Sequence, residues 1–351
     1  MSSSAIAYAL LSAALFGLST PAAKLLLGST DAMLLAGLLY CGAGAGVALY
    51  RQIVRLLFPM AANKENPLSA AELPWLGGAI AAGGVIGPVL LMVGLAHTEA
   101  STASLMLTLE GVATALLAWF VFHENFDRRI AMGMACLVAG AAVLSWSGQP
   151  SWSGLLGPLA IAGACLAWGI DNNLTRKVSL SDPLQIVELK GLIAGPVTVA
   201  LALWTGSSIP GSAAIAGAAV VGFLGYGVSL ALFVRALRAL GTARTGAYFS
   251  TAPFFGATAA VVGLGEPVTI QLLIAATLMG LGVWLHVTEH HEHLHAHESQ
   301  AHAHSHSHDD HHRHVHGPDD PPGEPHSHWH QHEVLAHSHP HVPDAHHRHR
   351  H

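Results

Sequence analysis

Residues 130–170 read IAMGMACLVAGAAVLSWSGQPSWSGLLGPLAIAGACLAWGI, a stretch without a single charged side chain. A helix crossing about 30 Å of hydrocarbon needs roughly 20 apolar residues. The run is too long for one crossing, and it breaks at Ser147-Gly-Gln-Pro-Ser-Trp-Ser-Gly154, which is turn chemistry. It therefore reads as two spans, 130–146 and 154–175. Outward from it the same pattern recurs. Apolar runs lie at 5–23, 32–50, 74–96 and 100–122 before it, and at 245–264 and 269–287 after it. Residues 184–234 divide at Thr205-Gly-Ser-Ser-Ile-Pro-Gly-Ser212 into two more. The expectation is an all-α membrane protein of ten transmembrane helices, with short connections except between Arg51 and Leu73.

Composition agrees. Apolar residues make up 52% of the 351 and charged residues only 10%, with a mean hydropathy of +0.46. A soluble domain carries about 25% charged residues because its surface must be wet. The charges are also unevenly spread. Residues 1–287 hold 12 Lys/Arg and 11 Asp/Glu, residues 288–351 hold 3 and 10, and 24 of the 27 histidines fall between His290 and His351. The chain is an oily body followed by a histidine-rich tail. Cys41, Cys136 and Cys165 each sit inside an apolar run and read as small buried hydrophobes. The N-terminus lacks the basic region of a secretory signal, so Ala5 onward reads as the first span.

An even number of spans puts both termini on one side. Inter-span segments on that side carry Arg51, Arg55, Lys64, Arg128, Arg129, Arg176, Lys177, Arg235, Arg238 and Arg244, while the other side holds Lys24 alone. Positive charge stays inside. The termini and tail are thus expected in the cytoplasm, and the body in the cytoplasmic (inner) membrane.

The halves echo each other. Phe16-Gly17 matches Trp168-Gly169, Asp31 matches Asp182, Gly84-Val-Ile-Gly87 matches Gly222-Phe-Leu-Gly225, and Glu124 matches Glu266. With five spans each, residues 1–147 and 153–287 form two repeats of opposite orientation, the arrangement of alternating-access carriers with a site at the repeat interface. On these residues the body, 5–287, resembles the EamA branch of the drug/metabolite transporter superfamily. Gly265-Glu266-Pro-Val-Thr269 is similar to that family's repeat-ending motif, and His123-Glu124-Asn-Phe-Asp127 is its first-half counterpart, with His where Gly is usual. Many relatives carry Arg inside the second helix of each repeat; Lys190 stands near that position in the second copy and Tyr40 in the first. The resemblance implies a ten-helix carrier with a central cavity, working by proton coupling or exchange on a small organic metabolite or drug.

Ionisable groups within a bilayer default to functional candidates. Glu110 lies midway along its span with Thr114 on the same helical face. Low dielectric disfavours its charged form, which suits reversible protonation coupled to cargo. Asp171 and Asn172, near Asn173, end the sixth span, and Glu188 and Lys190 lie two turns into the seventh. These form a second substrate or coupling group, although a lysine at that depth can also snorkel to the interface. Glu124 and Glu266, at helix ends, read as structural. No catalytic constellation, Walker A sequence or nucleic-acid-binding surface is evident, and His291-Glu292-His-Leu-His295 matches a zinc-protease pattern only because the tail is so rich in His.

The tail, 288–351, cannot bury a core and is expected to be disordered. Its alternation places His302, His304, His306 and His308, then His326, His328, His330 and His332, then His337, His339 and His341 at every second position. Imidazoles so spaced share one side of an extended chain and suit Zn, Ni, Cu or Co. The body requires no cofactor; divalent transition metals are expected on the tail alone. Expected partners are the lipid bilayer, a small-molecule substrate and transition-metal ions, with a homodimer left open. The alternative is a divalent metal-ion exporter whose tail collects or senses the ion.

Overall fold

A computed structural model describes residues 3–57, 67–122, 128–146, 152–178, 181–240, 245, 248–288, 292–297, 300–306, 326–332 and 335–340. The described residues of the body form helices joined by short connections. It runs α1 (Ser3–Leu27), α2 (Ala32–Leu57), α3 (Leu73–Ala79), a π segment (Ile80–Ile86), α4 (Gly87–Ala96), α5 (Ala100–Met106), α6 (Leu109–Phe122) and α7 (Arg128–Ser145). The second half runs α8 (Trp152–Thr175), α9 (Pro183–Trp204), α10 (Ser212–Gly222), a second π segment (Phe223–Val228), α11 (Ser229–Leu240), α12 (Ala252–Leu264) and α13 (Ile270–Val287). Among the described residues, eight stretches are long and apolar enough to cross a membrane, and two shorter apolar helices, Ala252–Leu264 and Ile270–Leu285, stand in the places expected for the ninth and tenth spans. The outward surface is apolar too: Leu25, Leu56, Trp204, Val262 and Ile270 are all exposed, as suits a chain solvated by lipid.

The halves correspond in detail. Asp31 Oδ1 accepts from the amides of Met33 (3.0 Å) and Leu34 (3.2 Å), opening α2. Asp182 Oδ1 accepts from Leu184 (2.9 Å) and Gln185 (3.3 Å), opening α9. A methyl on Gly17 would strike Ala252, Phe255 and Gly256 of α12; one on Gly169 would strike Ala113 and Thr114 of α6. The Phe-Gly and Trp-Gly pairs are thus the points where the first helix of each repeat admits the fourth helix of the other. Helices α2 and α9 meet backbone to backbone, Gly44 against Gly191 and Gly195 against Cys41. Contacts that advance along one helix retreat along the other, so these corresponding helices run antiparallel. Small residues permit this approach, on which helix association in lipid depends.

Three expectations need correction. The run 100–122 is not one helix. It breaks at Leu107–Thr108, where tighter turns replace the regular ladder and the Thr108 hydroxyl donates to Leu105 O. Arg51 and Arg55 are not in a loop, because α2 continues to Leu57. The tail is not wholly irregular. β1 (Glu292–His297) pairs antiparallel with β4 (Leu335–Pro340), and β2 (Gln300–His306) with β3 (His326–His332), as a period-two sequence favours extended backbone.

Candidate functional site

The break at Leu107–Thr108 makes Glu110 a first-turn residue of α6. A carboxylate is favoured there by the positive end of the helix dipole. Its Oε1 accepts from Asn172 Nδ2 of α8 at 2.8 Å, and the same nitrogen lies 3.2 Å from Thr114 Oγ1. Asn173 Nδ2 donates to Gly169 O (2.8 Å) and Thr114 O (3.2 Å), fixing α8 against α6. Glu110, Thr114 and Asn172 are thus one hydrogen-bonded group. Ala103 and Met106, which an unbroken helix would set on the face of Glu110, precede the break and are buried in the core.

One residue earlier on α8, Asp171 meets Lys190 Nζ of α9 at 2.5 and 2.8 Å. Thr175 joins them, donating to Asp171 Oδ1 (2.8 Å) and accepting from Lys190 (3.1 Å). Both charged side chains are mostly buried, 14% exposed for Lys190 and 10% for Asp171. Lys190 therefore does not snorkel to an interface. Asp171 has room because Gly83 of the first π segment faces it; any Cβ there would overlap the carboxylate. The Gly83 carbonyl takes two outside donors, Tyr40 OH (2.8 Å) and Trp168 Nε1 (2.9 Å). The π segment thereby ties α2 and α8 together beside the polar group.

Glu188 does not join this group. It pairs with Arg51, whose other nitrogen reaches Asp182 Oδ2 at 2.8 Å. This clamp was not read from the sequence; the apolar run into which Arg51 continues was the available sign. At the other end of the bundle, Lys24 Nζ donates to Leu95 O (2.5 Å) and Thr98 O (2.7 Å). Glu266 accepts from the amides of Ala100 (2.6 Å) and Ser101 (2.7 Å), so the end of one repeat caps α5 of the other. Burial opposes ionisation of Glu266, but those amides and the Ser101 hydroxyl hold its carboxyl below the usual carboxylate range. Burial, then the Glu266 carboxylate beside it, pushes Glu99 up.

Glu124, His308 and His341 lie outside the described residues, and of the other tail histidines only the backbone is described. Among the described residues no group of three or more His, Cys, Asp or Glu side chains is placed to hold a metal. An apolar cleft of about 330 Å³ lies along α6 and α8, lined by Leu109, Val112, Leu116, Phe120 and Leu166 among others, and those side chains offer no charged partner to a cargo.

Known proteins share this plan. A protein solved by crystallography superposes with a TM-score of 0.58 at 17% identity, covering 81% of this chain and 96% of its own, a likeness of fold. An uncharacterized transporter of Methanothermobacter thermautotrophicus is 30% identical over 210 residues, 57% of this chain. That match spans 60% of the relative's length. The EamA-like transporter family model matches twice, at residues 3–146 and 155–288, once on each repeat, and the chain belongs to that family.

Proposed function

We propose that the protein is a secondary active carrier that moves a small organic solute across the cytoplasmic membrane by alternating access, coupled to protons or working by exchange. In this reading the two shorter helices complete ten spans, the repeats are inverted, and both termini lie with the basic segments in the cytoplasm. Glu110, Thr114, Asp171, Asn172 and Lys190 contact cargo or the coupling proton; Glu188 acts through its clamp with Arg51. The observation that carries the reading is the position of Glu110. It is an acid within the apolar body, at the start of a broken helix, held by a neutral amide. Such a group takes up and releases a proton without dismantling an ion pair.

The test is reconstitution of the full chain in vesicles under an imposed pH gradient, with pooled labelled metabolites outside and a pH dye inside. Solute-dependent proton flux is expected in the wild type and background flux in Glu110→Gln. Full flux in the Gln variant refutes the coupling role.

The tail is a separate element that binds divalent transition metals through its alternating histidines. Deleting 288–351 should abolish metal binding by the purified protein and leave solute flux unchanged. Loss of cellular metal resistance on that deletion, with no organic solute ever moved, is the outcome that favours the exporter instead.

A further inference from the structure

The two ladders of the tail set histidine opposite histidine. In the β2–β3 ladder His302 stands opposite His330, His304 opposite His328 and His306 opposite His326. In the β1–β4 ladder His293 stands opposite His339 and His295 opposite His337. Directly opposed residues share a face of an antiparallel pair, and every second row returns to that face. The histidine rows of each ladder therefore lie on one face of it. The rows between them carry other residues, such as Ala303 with Trp329, Ser305 with Ser327 and Ala296 with Ala336. The ladders also keep one register: Gln300, eight residues after Glu292, stands opposite His332, eight residues before Pro340. Neither burial nor a turn accounts for this pairing. A two-stranded ribbon is marginal in water without a hydrophobic face to pack, and these strands are rich in His, Ser, Ala and Gln. Residues 307–325 separate β2 from β3, whereas hairpins set by their own turn use about two to five residues. Polar strands of this kind also specify their register weakly. The ribbon needs a tie between its strands.

We propose that each ladder is a site for a divalent ion of the zinc class whose donors come from both strands. An ion in the β2–β3 ladder takes two adjacent rows, and the central row of His304 and His328 serves whichever neighbour it joins. An ion in the β1–β4 ladder takes the rows of His293 with His339 and His295 with His337. Adjacent histidine rows are about 7 Å apart along a strand, and opposed residues about 5 Å apart across it. Four imidazoles at such corners suit the four-coordinate, nitrogen-accepting chemistry of zinc. This rests on the reading of the tail as a metal binder and names how it binds. Histidines along a single extended strand would hold an ion without any partner strand. Donors drawn across the ladder make the ion the missing tie, so that binding metal and forming the ribbon are one event. The ion also fixes the register. A slip of one residue would set His304 opposite Ser327 or Trp329 and dismantle every histidine row.

Two measurements on the full-length protein in detergent test this, with zinc chloride as the probe. The first is the zinc bound in equilibrium dialysis at a fixed free concentration. His302→Ala, His304→Ala and His306→Ala together should remove the zinc of the β2–β3 ladder as completely as His326→Ala, His328→Ala and His330→Ala together. All six changes should remove no more than either set alone. Losses that add between the two sets would mean that each strand binds by itself, and overturn the inference. The second measurement reads the ribbon. With Cys41, Cys136 and Cys165 replaced by Ala, spin labels are attached through Ser305→Cys and Ser327→Cys, a row between two histidine rows. Neighbouring strands lie about 5 Å apart, so zinc should bring the labels close enough to broaden each other's spectra. His304→Ala with His328→Ala should abolish that broadening. Zinc bound in the wild-type amount without broadening overturns the inference and leaves the tail a metal binder. Zinc binding that survives deletion of 288–351 undiminished sinks the reading of the tail itself, and this inference with it.

Discussion

At the scale of single residues, the Asp171–Lys190 pair is where a small change has the largest expected effect. Both partners are mostly buried. Removing one strands the other's charge, whereas removing both strands neither. Lys190→Met should therefore destabilise by about 3 kcal/mol or more, and Asp171→Asn combined with Lys190→Met should recover most of that loss. Thermal unfolding of the four proteins in detergent, read as a double-mutant cycle, measures it; additive losses would mean the pair is not coupled. Gly83→Ala attacks the same pair from the opposite helix, forcing the Asp171 carboxylate aside at a cost of about 1–3 kcal/mol. The sequence allowed only part of this to be read. An acid, two amides and a lysine inside apolar runs mark themselves as candidates, since their burial is costly. Their pairing is a matter of how two helices face each other across a turn. Glu188 was grouped with Lys190 by proximity in sequence, yet it faces Arg51, on a helix more than a hundred residues away.

At the scale of elements, apolar run length fixed where helices occur and small residues fixed how closely they pack. The seam between α2 and α9 tests the second point. Gly44→Val or Gly191→Val places side-chain atoms inside the facing backbone, while a methyl added at Gly77 meets nothing within 4 Å, so Ala is tolerated there. Membrane yield and monodispersity should collapse for the two Val variants and stay at wild-type level for Gly77→Ala. The break before Glu110 and the two π segments were not legible. Leu107 and Thr108 are ordinary helix residues, and a π segment differs from an α-helix by one hydrogen-bond step that leaves no pattern in side chains. The Glu266 cap on α5 makes a pH prediction. Glu266 is held below the usual carboxylate range, so its contribution is present above that range and is lost as pH falls through the lowered value. Glu99 is raised, so its contribution is present below the ordinary value and is lost as pH rises through the raised one. Glu266→Gln should lower the thermal midpoint at neutral pH and flatten its acid limb. Glu99→Gln should raise the midpoint at neutral pH and leave the acid limb in place.

At the scale of the whole molecule, the two-fold relation was legible because its markers are residues with one physical task each. Asp31 and Asp182 start helices, and Gly17 and Gly169 admit a crossing helix; other side chains at those places would cost a cap or a contact. What the repeat pattern hid is its asymmetry. The end that carries the basic segments is closed by charge, through Arg51 with Asp182 and Glu188. The other end is held by charged side chains on backbone, Lys24 on the carbonyls of Leu95 and Thr98 and Glu266 on the amides of Ala100 and Ser101. Arg51 answers two acids at once, so one substitution removes both ion pairs of the basic end. Arg51→Gln should therefore open the basic end selectively. With Cys41, Cys136 and Cys165 replaced by Ala and a reporter cysteine at Thr114, the Arg51→Gln protein should react with a water-soluble maleimide several-fold faster in inside-out vesicles, and no faster in right-side-out cells. Faster labelling from outside the cell would assign the clamp to the opposite end and reverse the orientation proposed for the whole body.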